Sequence, residues 1–420
     1  MSTLQQLIIE NQERIQWQKV IKRELVFDYQ VFDLQKIVSI VWPRRAGKTY
    51  FMYQMIQHLI QSGTIEKEQV VFIDFSEYRW SEFDFEKLLG AYFEVCPSLS
   101  PWFFLDEIQE IREFRTGVLS LFNRGYKIIM SGSNSNLLSR ELSTHFGWRS
   151  LETYVYPLSW GEFLDFRGFI RYPHMTLAQK GYEKNLFGAY LRYGGYPEVV
   201  IANTPWLKET LLSSYFEIIV YRDLKERYKI ENDVVLRYLL RRVIISNTKD
   251  FNTNKIYHDL KSQGIEVSKN TLYLYLEYAR NIFFINILKN FYALKGASKI
   301  FLITWGFQIL PKGWEDLGQS FENVLYMDLL RRYGSVFFLR GKEGEIDLYL
   351  PDEDISIQAC YHITRENLAR ELDPLLSASW RIYCVYYEID DDVVIDEKYE
   401  RVERIAYLDE ENMKNLLTLV

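Results

Sequence analysis

Residues 39–51 read "SIVWPRRAGKTYF", and three of them stand in an order that binds phosphate. Gly47, Lys48 and Thr49 follow a β-branched run and open a helical pattern, the strand–loop–helix setting of a phosphate-binding loop. Such a loop wraps backbone N–H groups around a phosphate at a helix N-terminus. Gly47 allows the close backbone approach, Lys48 reaches the β- and γ-phosphates, and Thr49 ligates magnesium. Pro43, Arg44, Arg45 and Ala46 form the body of the loop, and Tyr50 follows it. The motif's first glycine is replaced by Trp42. That glycine mainly lets the chain leave the strand, so Trp42 bears on the entry of the loop more than on its phosphate cradle.

A second group carries the complementary chemistry. Asp106 ends the apolar run in "PWFFLDEIQEI", where an acid positions magnesium, and Glu107 beside it is the base that polarises an attacking water. Ser133 and Asn134, after "YKIIMSG", are placed to orient water near a γ-phosphate. The chemistry this implies is binding and hydrolysis of ATP with Mg²⁺.

These groups need a scaffold that brings distant segments together. "KIVSIVW", "QVVFIDFS", "PWFFLDEIQEI" and "YKIIMSGSN" read as buried strands, and "TYFMYQMIQHLIQSG" as a helix closed by Gly63. Strands separated by helices predict a parallel, doubly wound α/β sheet, whose ligands sit beyond the carboxyl ends of the strands. Residues 1–35 read as helical. After residue 150 the pattern becomes aromatic, and 208–245 then read as long helices. "NTNKIYHDLKSQGIEVSKNTLYLYLEYARN" has the helix–turn–helix order of a winged-helix unit, with Ser268 as a cap. From 298 a helix, "GQSFENVLYMDLLRRYG", and the strands "VFFLR", "EIDLYL", "ISIQACYHI" and "RIYCVYYEI" form a further α/β piece. The expected domains are a helical 1–35, a P-loop domain at 36–165, a helical region at 166–297 and an α/β domain at 298–420.

The chain has 420 residues, 48% hydrophobic and 25% charged, with 31 Tyr, 27 Phe and 10 Trp. That length exceeds one core, and the aromatics supply large buried areas. A net charge of −7 gives no whole-chain attraction to DNA. Three cysteines, Cys96, Cys360 and Cys384, lie far apart and fit a reducing cytoplasm better than a disulfide framework. Glu10, Glu13 and Arg14 interrupt any leader-like apolar run, and no apolar stretch is long enough for a transmembrane helix.

In chain order, "PRRAGKT", "FFLDEIQEI", "IIMSGSNSNLLSREL", "YPLSWGEFL" and "RYGGYPEVV" resemble a family of prokaryotic ATPases of the AAA+ superfamily. Their usual loop is glycine-proline-arginine-arginine-x-glycine-lysine-threonine, and Ile108 and Gln109 follow the acidic pair as they do in the family. The resemblance implies an ATP-binding domain, a winged-helix-like middle and a nuclease-like C-terminal fold. It also implies that Arg140 or Arg149 reaches a γ-phosphate, in the same chain or in a neighbour of an oligomer.

The C-terminal piece resembles the PD-(D/E)xK nuclease fold. Glu322 and Asp347 match its first two acids, while Gln358 stands for the third and Cys360 for the lysine. A neutral ligand and a missing cation predict that the fold survives and cleavage is lost. In the helix–turn–helix candidate, Lys255, Lys261, Lys269 and Arg280 could track a nucleic-acid backbone, as could Arg222, Lys225, Arg227, Lys229, Arg237, Arg241 and Arg242 upstream. Interleaved acids such as Asp223, Asp233 and Asp259 are equally those of a solvated face. Two functions stay open: an ATP-driven molecular switch acting on DNA or a partner protein, and a nucleotide-regulated DNA- or protein-binding module with little hydrolysis.

Overall fold

The computed structural model describes all residues except 1, 25–26, 42, 77–82, 112, 133–145, 173, 312–315, 342–343 and 418–420. The chain divides into two compact units, 1–170 with 281–283, and 171–280 with 284–420. Among the described residues no helix is long and apolar enough to cross a membrane.

The first unit is built on five parallel strands, β1 (Ile37–Val41), β2 (Val70–Asp74), β3 (Trp102–Asp106), β4 (Lys127–Gly132) and β5 (Ser150–Tyr154), in the spatial order β2-β3-β4-β1-β5. Successive side chains point to opposite faces, and here both faces are covered. Ile37 and Val41 of β1, Val71 and Ile73 of β2, and Phe103 and Leu105 of β3 enter one core. Their neighbours Val38, Ile40, Phe72 and Phe104 enter the other. Burial on both sides is why these strands read as unbroken apolar runs rather than alternating ones. Helices α1 (Thr3–Trp17), α2 (Lys48–Gln61), α3 (Phe85–Val95), α4 (Phe114–Asn123) and α5 (Trp160–Phe166) complete the unit. Their apolar sides supply the cores, as with Phe51, Met52, Met55, Ile56 and Leu59 of α2.

The helical reading of 1–35 needs correction. Helix α1 stops at Trp17, and Gln18 is extended. Gln57 of α2 donates to the carbonyls of Ile15 and Gln18, which fixes the exit of the chain from α1. Arg23 then turns inward. Its guanidinium donates to Glu162 (Nε to Oε1, 2.7 Å), to the carbonyl of Ala46 in the loop before α2 (3.0 Å) and to the carbonyl of Tyr156 (2.7 Å). Arg23 is 3% exposed and Glu162 4%. Glu162 is held in place in turn by Ser159, the N-cap of α5, through a capping box. One buried cation thus joins the N-terminal segment, the phosphate loop and α5.

The second unit opens with α6 (Leu177–Tyr193), α7 (Pro197–Ile201), α8 (Pro205–Ile218), α9 (Asp233–Ile245), α10 (Thr253–Ser262) and α11 (Lys269–Asn281). The antiparallel hairpin of β6 (Ile285–Asn290) and β7 (Ala293–Leu302) follows. After α12 (Leu317–Tyr333) come β8 (Phe337–Gly341), β9 (Gly344–Leu350), β10 (Ile355–Ile363), α13 (Leu368–Leu372), β11 (Arg381–Ile389), β12 (Glu403–Ala406) and α14 (Glu410–Leu417). One mixed sheet runs β12-β11-β10-β9-β8-β6-β7, with α12 packed on β9 and β10. The domain boundary expected between 297 and 298 therefore falls inside β7: the hairpin belongs to the same sheet as the C-terminal strands.

Removing the buried cation should be costly, because it leaves the Glu162 charge out of water without its guanidinium partner. Arg23→Ala should lower the unfolding free energy by about 3–5 kcal/mol, and the Arg23→Ala/Glu162→Ala pair should cost clearly less than the two single changes summed. Urea unfolding monitored by circular dichroism measures it; a single-variant loss below about 1 kcal/mol would class the pair with ordinary surface bridges.

Candidate functional site

The loop after β1 ends in two left-handed residues that bracket Ala46. Arg45 has φ 71° and Gly47 φ 95°. At Gly47 no Cβ opposes this conformation. Helix α2 starts at once, and its N-cap, Gly47, has no side chain with which to cap it. The first turn of a helix carries the positive end of the macrodipole, which suits an anion. Pro43 and Ala46 are buried, whereas Arg45 and Tyr50 are exposed. Lys48 is buried, its ammonium donating to the carbonyl of Pro43 at 3.0 Å with Glu107 Oε1 at 3.9 Å.

The side chain of Thr49 faces β3. Its hydroxyl donates to Asp106 Oδ2 at 2.5 Å. Parallel pairing sets Asp106 level with Asp74 on one side, and sets Ser131 of β4 beside Ile40 of β1. Ser131 donates to Asp106 Oδ1, and the amide of Glu107 donates both to that oxygen (3.2 Å) and to Ser131 Oγ (3.1 Å). Glu107 itself is left-handed, φ 50°, a conformation that costs a non-glycine residue energy and is held by these bonds. Gln109 donates to the Glu107 carboxylate. Burial pushes the Asp106 carboxyl up from 3.8 to about 6, helped by the Glu107 charge and opposed by the Ser131 and Thr49 hydrogen bonds.

The structure thus brings Lys48, Thr49, Asp106 and Glu107 to the carboxyl edge of the sheet. Trp42, Ser133, Asn134 and Arg140 lie outside the described residues. Ser131, two residues before the expected Ser133, is the β4 hydroxyl that touches the acids. Its signal was a polar residue ending an apolar strand, and Gln109 likewise stood in view beside the acidic pair. Arg149 is a correction to the same-chain option. It precedes Ser150, which pairs with Ile37 at the start of β1, so it lies at the amino edge, roughly 16 Å of strand from the phosphate loop. There its guanidinium stacks on Trp148, 5.2 Å from the ring centre.

In the second unit Glu322 of α12, Asp347 of β9, and Gln358 and Cys360 of β10 line one cavity of about 790 Å³. The expectation that no fixed cation stands there is overturned. Lys299 of β7 puts its ammonium 3.2 Å from Glu322 Oε1, 3.3 Å from Asp347 Oδ1 and 2.7 Å from Glu345 Oε1. Burial works to lower the Lys299 pKa, but the three carboxylates lift it above its ordinary value. Burial raises Glu322 to about 7, against Lys299. Cys360 donates to the carbonyl of His362 at 3.4 Å, and burial pushes its thiol up to about 12, so it supplies no charge. Lys299 was missed because the motif looks for its lysine on the same strand as the third acid, whereas Lys299 comes from β7.

On the helical face, Lys255, Lys261, Lys269 and Arg280 are exposed. Upstream, Arg237 pairs with Glu217 and Asp233, Lys225 with Asp233, and Arg242 with Asp259 at 3.9 Å. Those cations are engaged by acids of the same unit.

The family model described as "AAA domain" matches residues 34–164, and one described as "Domain of unknown function (DUF8612)" matches 184–303. An uncharacterized protein of Haemophilus influenzae is 31% identical over 362 residues, covering 82% of this chain and 86% of that protein. Uncharacterized protein MJ1544 of Methanocaldococcus jannaschii is 29% identical over 380 residues, 88% and 83% of the two chains. Among solved structures, C. elegans PCH-2 shares 13% identity at a TM-score of 0.31, covering 50% of this chain and 60% of that one. Cdc6p from Pyrobaculum aerophilum shares 11% at 0.29, covering 75% and 98%. With its parallel sheet and its loop, the segment 34–164 is an AAA-type P-loop domain. The chain belongs to the family of the Haemophilus relative.

The raised Asp106 carboxyl has a consequence for stability without nucleotide. Folded, the group keeps its proton up to about pH 6, whereas unfolded it loses it near 3.8. The native state therefore binds the extra proton in that window, and stability falls as pH rises from about 4 through 6. Asp106→Asn, which removes the charge, should be more stable than wild type at pH 8 and close to it at pH 4.5. Thermal unfolding at the two pH values decides, and an advantage equal at both would rule out this proton.

Proposed function

We propose that the first unit binds ATP with Mg²⁺ and hydrolyses it, and that the resulting change drives a switch in the rest of the chain. The observation that carries this is the convergence of Lys48 and Thr49 from one end of α2 with Asp106 and Glu107 from β3. On nucleotide binding, Lys48 leaves the Pro43 carbonyl for the β- and γ-phosphates. The loop residues Pro43, Arg44, Arg45, Ala46, Gly47 and Tyr50 surround the phosphates, with backbone N–H groups as donors. Thr49 ligates magnesium, and Asp106, once ionised, orients the metal through the contacts it already makes with Thr49. Glu107 polarises water, while Ser131 fixes the edge of the site; Ser133 and Asn134 keep the water-orienting role proposed for them from the sequence. Arg149 acts, if at all, on the site of a neighbouring copy, since its own is a full strand length away.

A second reading has its own support. The Glu107 carboxylate is engaged by both Gln109 and Lys48, which suits a protein that holds ATP and turns it over slowly until a partner frees the acid. DNA is one such partner, through the exposed Lys255, Lys261, Lys269 and Arg280. Phosphate release with and without duplex DNA distinguishes the two. DNA cleavage is not proposed: Lys299 supplies the missing charge, but neutral Gln358 still stands where a third carboxylate is needed.

Lys48→Ala should weaken a fluorescent ATP analogue tenfold or more with the fold retained, because the lysine's charge is directed at phosphate. Equal binding by both proteins would sink the loop assignment. Glu107→Gln should keep ATP affinity within a few-fold and lower turnover by about 10²-fold or more; wild-type turnover in that variant would move the base elsewhere.

A further inference from the structure

The phosphate loop is gripped by a cation that the ATP chemistry leaves unused. Arg23 donates from Nη1 to the carbonyl of Ala46, the residue before Gly47, at 3.0 Å. The same guanidinium meets the Glu162 carboxylate as a fork, Nε to Oε1 at 2.7 Å and Nη2 to Oε2 at 3.1 Å. Such a two-pronged pair fixes direction as well as position. Ala46 is fully buried and Arg23 nearly so, which places this contact beneath the loop and out of water.

The backbone of Arg23 is held as firmly as its side chain. Its amide donates to Gln54 Oε1 at 2.7 Å, and Gln54 Nε2 donates back to its carbonyl at 3.1 Å. Gln54 belongs to α2, the helix that the loop opens. Glu162 is fixed in turn, since it also accepts from the amides of Glu24 at 3.0 Å and Ser159 at 2.9 Å. Arg23 is therefore a fixed point between α2 and α5. Lys48 holds the Pro43 carbonyl of the same loop, but it carries no comparable anchor and is the cation that moves to phosphate.

What Arg23 fixes is the plane of one peptide. The C=O and N–H of a trans peptide point in opposite directions. Drawing the Ala46 oxygen toward Arg23 therefore turns the N–H of Gly47 the other way. That way lies the more open side of the loop, since Gly47 is partly exposed where Ala46 is not. Left-handed Arg45 and Gly47 flank this peptide, and a glycine backbone has many alternatives. Without a bond to the Ala46 oxygen, nothing in the local chain would select this orientation over its flip.

We infer that Arg23 is a positioning residue for the nucleotide: by holding the Ala46 carbonyl it presets the Gly47 N–H as a donor to the β-phosphate, with Glu162 and Gln54 fixing Arg23 in turn. The inference rests on the first unit being the ATP site. A donor aimed before binding needs no reorganisation when the phosphate arrives. The bond to the β-phosphate is made alike in the ground and transition states, so it lowers KM and leaves kcat nearly unchanged. It serves ADP as it serves ATP, and it acts without magnesium.

The test uses the full chain and two variants chosen to fold. Arg23→Met/Glu162→Gln removes both buried charges together, and glutamine keeps the capping box of α5. Arg23→Lys keeps the charge beside Glu162 but lacks the fork that spans carboxylate and loop. Melting temperatures show that each is folded. Titration with fluorescent ADP and ATP analogues should then give affinity about tenfold weaker in the double variant and several-fold weaker in Arg23→Lys. The factor should be the same for both nucleotides, and the same in magnesium as in EDTA. In steady-state hydrolysis KM should rise by that factor, with kcat within about threefold of wild type. A wild type that binds no nucleotide, or binds it equally after Lys48→Ala, would remove the ATP reading and this inference with it. Binding that depends on Lys48 but stays within about twofold of wild type in both folded variants would overturn this inference alone, as would a loss confined to kcat.

Discussion

At the carboxyl edge of the first sheet, one carboxylate holds three elements in register. Asp106 ends β3, takes the hydroxyl of Thr49 from α2 on one oxygen, and takes Ser131 from β4 and the Glu107 amide on the other. Two consequences follow from that arrangement. The first turn of α2 cannot move without breaking the Thr49 bond, so the phosphate loop is fixed relative to the acids. Glu107 is held left-handed, because its amide must reach back to both Asp106 and Ser131. The carboxylate sits almost wholly out of water, with its charge disfavoured. A cation brought by a nucleotide would offset that disfavoured charge.

Much of this was legible before any coordinates. The phosphate loop announces itself because backbone wrapping requires a glycine and a lysine at fixed spacing, and chain order supplies the strand and helix around it. Asp106 and Glu107 were visible as acids ending an apolar run. What the chain order hides is lateral: which strand lies beside which. Ser131 becomes a partner of Asp106 only because β4 is inserted between β3 and β1. Arg149 was a reasonable arginine by family likeness, yet parallel pairing of β5 from Ser150 onward puts it at the wrong edge for its own chain. Arg23 gave no signal at all. Its burial depends on tertiary contacts with Glu162 and two carbonyls that no local pattern encodes.

Lys299 makes the same point more sharply in the second unit. The expected nuclease-like acids did come together, but their cation arrives from a hairpin some twenty residues before the first acid. A motif defined by spacing along one strand fails when the charge is delivered from a distant strand of the same sheet. The sheet that unites β6 and β7 with β8 to β12 makes that delivery possible.

Each unit holds a buried lysine against carboxylates, Lys48 beside Glu107 and Lys299 among Glu322, Glu345 and Asp347. Lys48 rests on the Pro43 carbonyl near Glu107. The most direct measurement is a crystal structure of the full chain with magnesium and a non-hydrolysable ATP analogue. Lys48 Nζ should leave Pro43 and lie about 2.8 Å from a phosphate oxygen, with Thr49 Oγ1 about 2.1 Å from the metal and Asp106 facing it. A nucleotide bound elsewhere, or Lys48 still seated on Pro43 beside a bound triphosphate, would contradict the assignment of this edge as the ATP site.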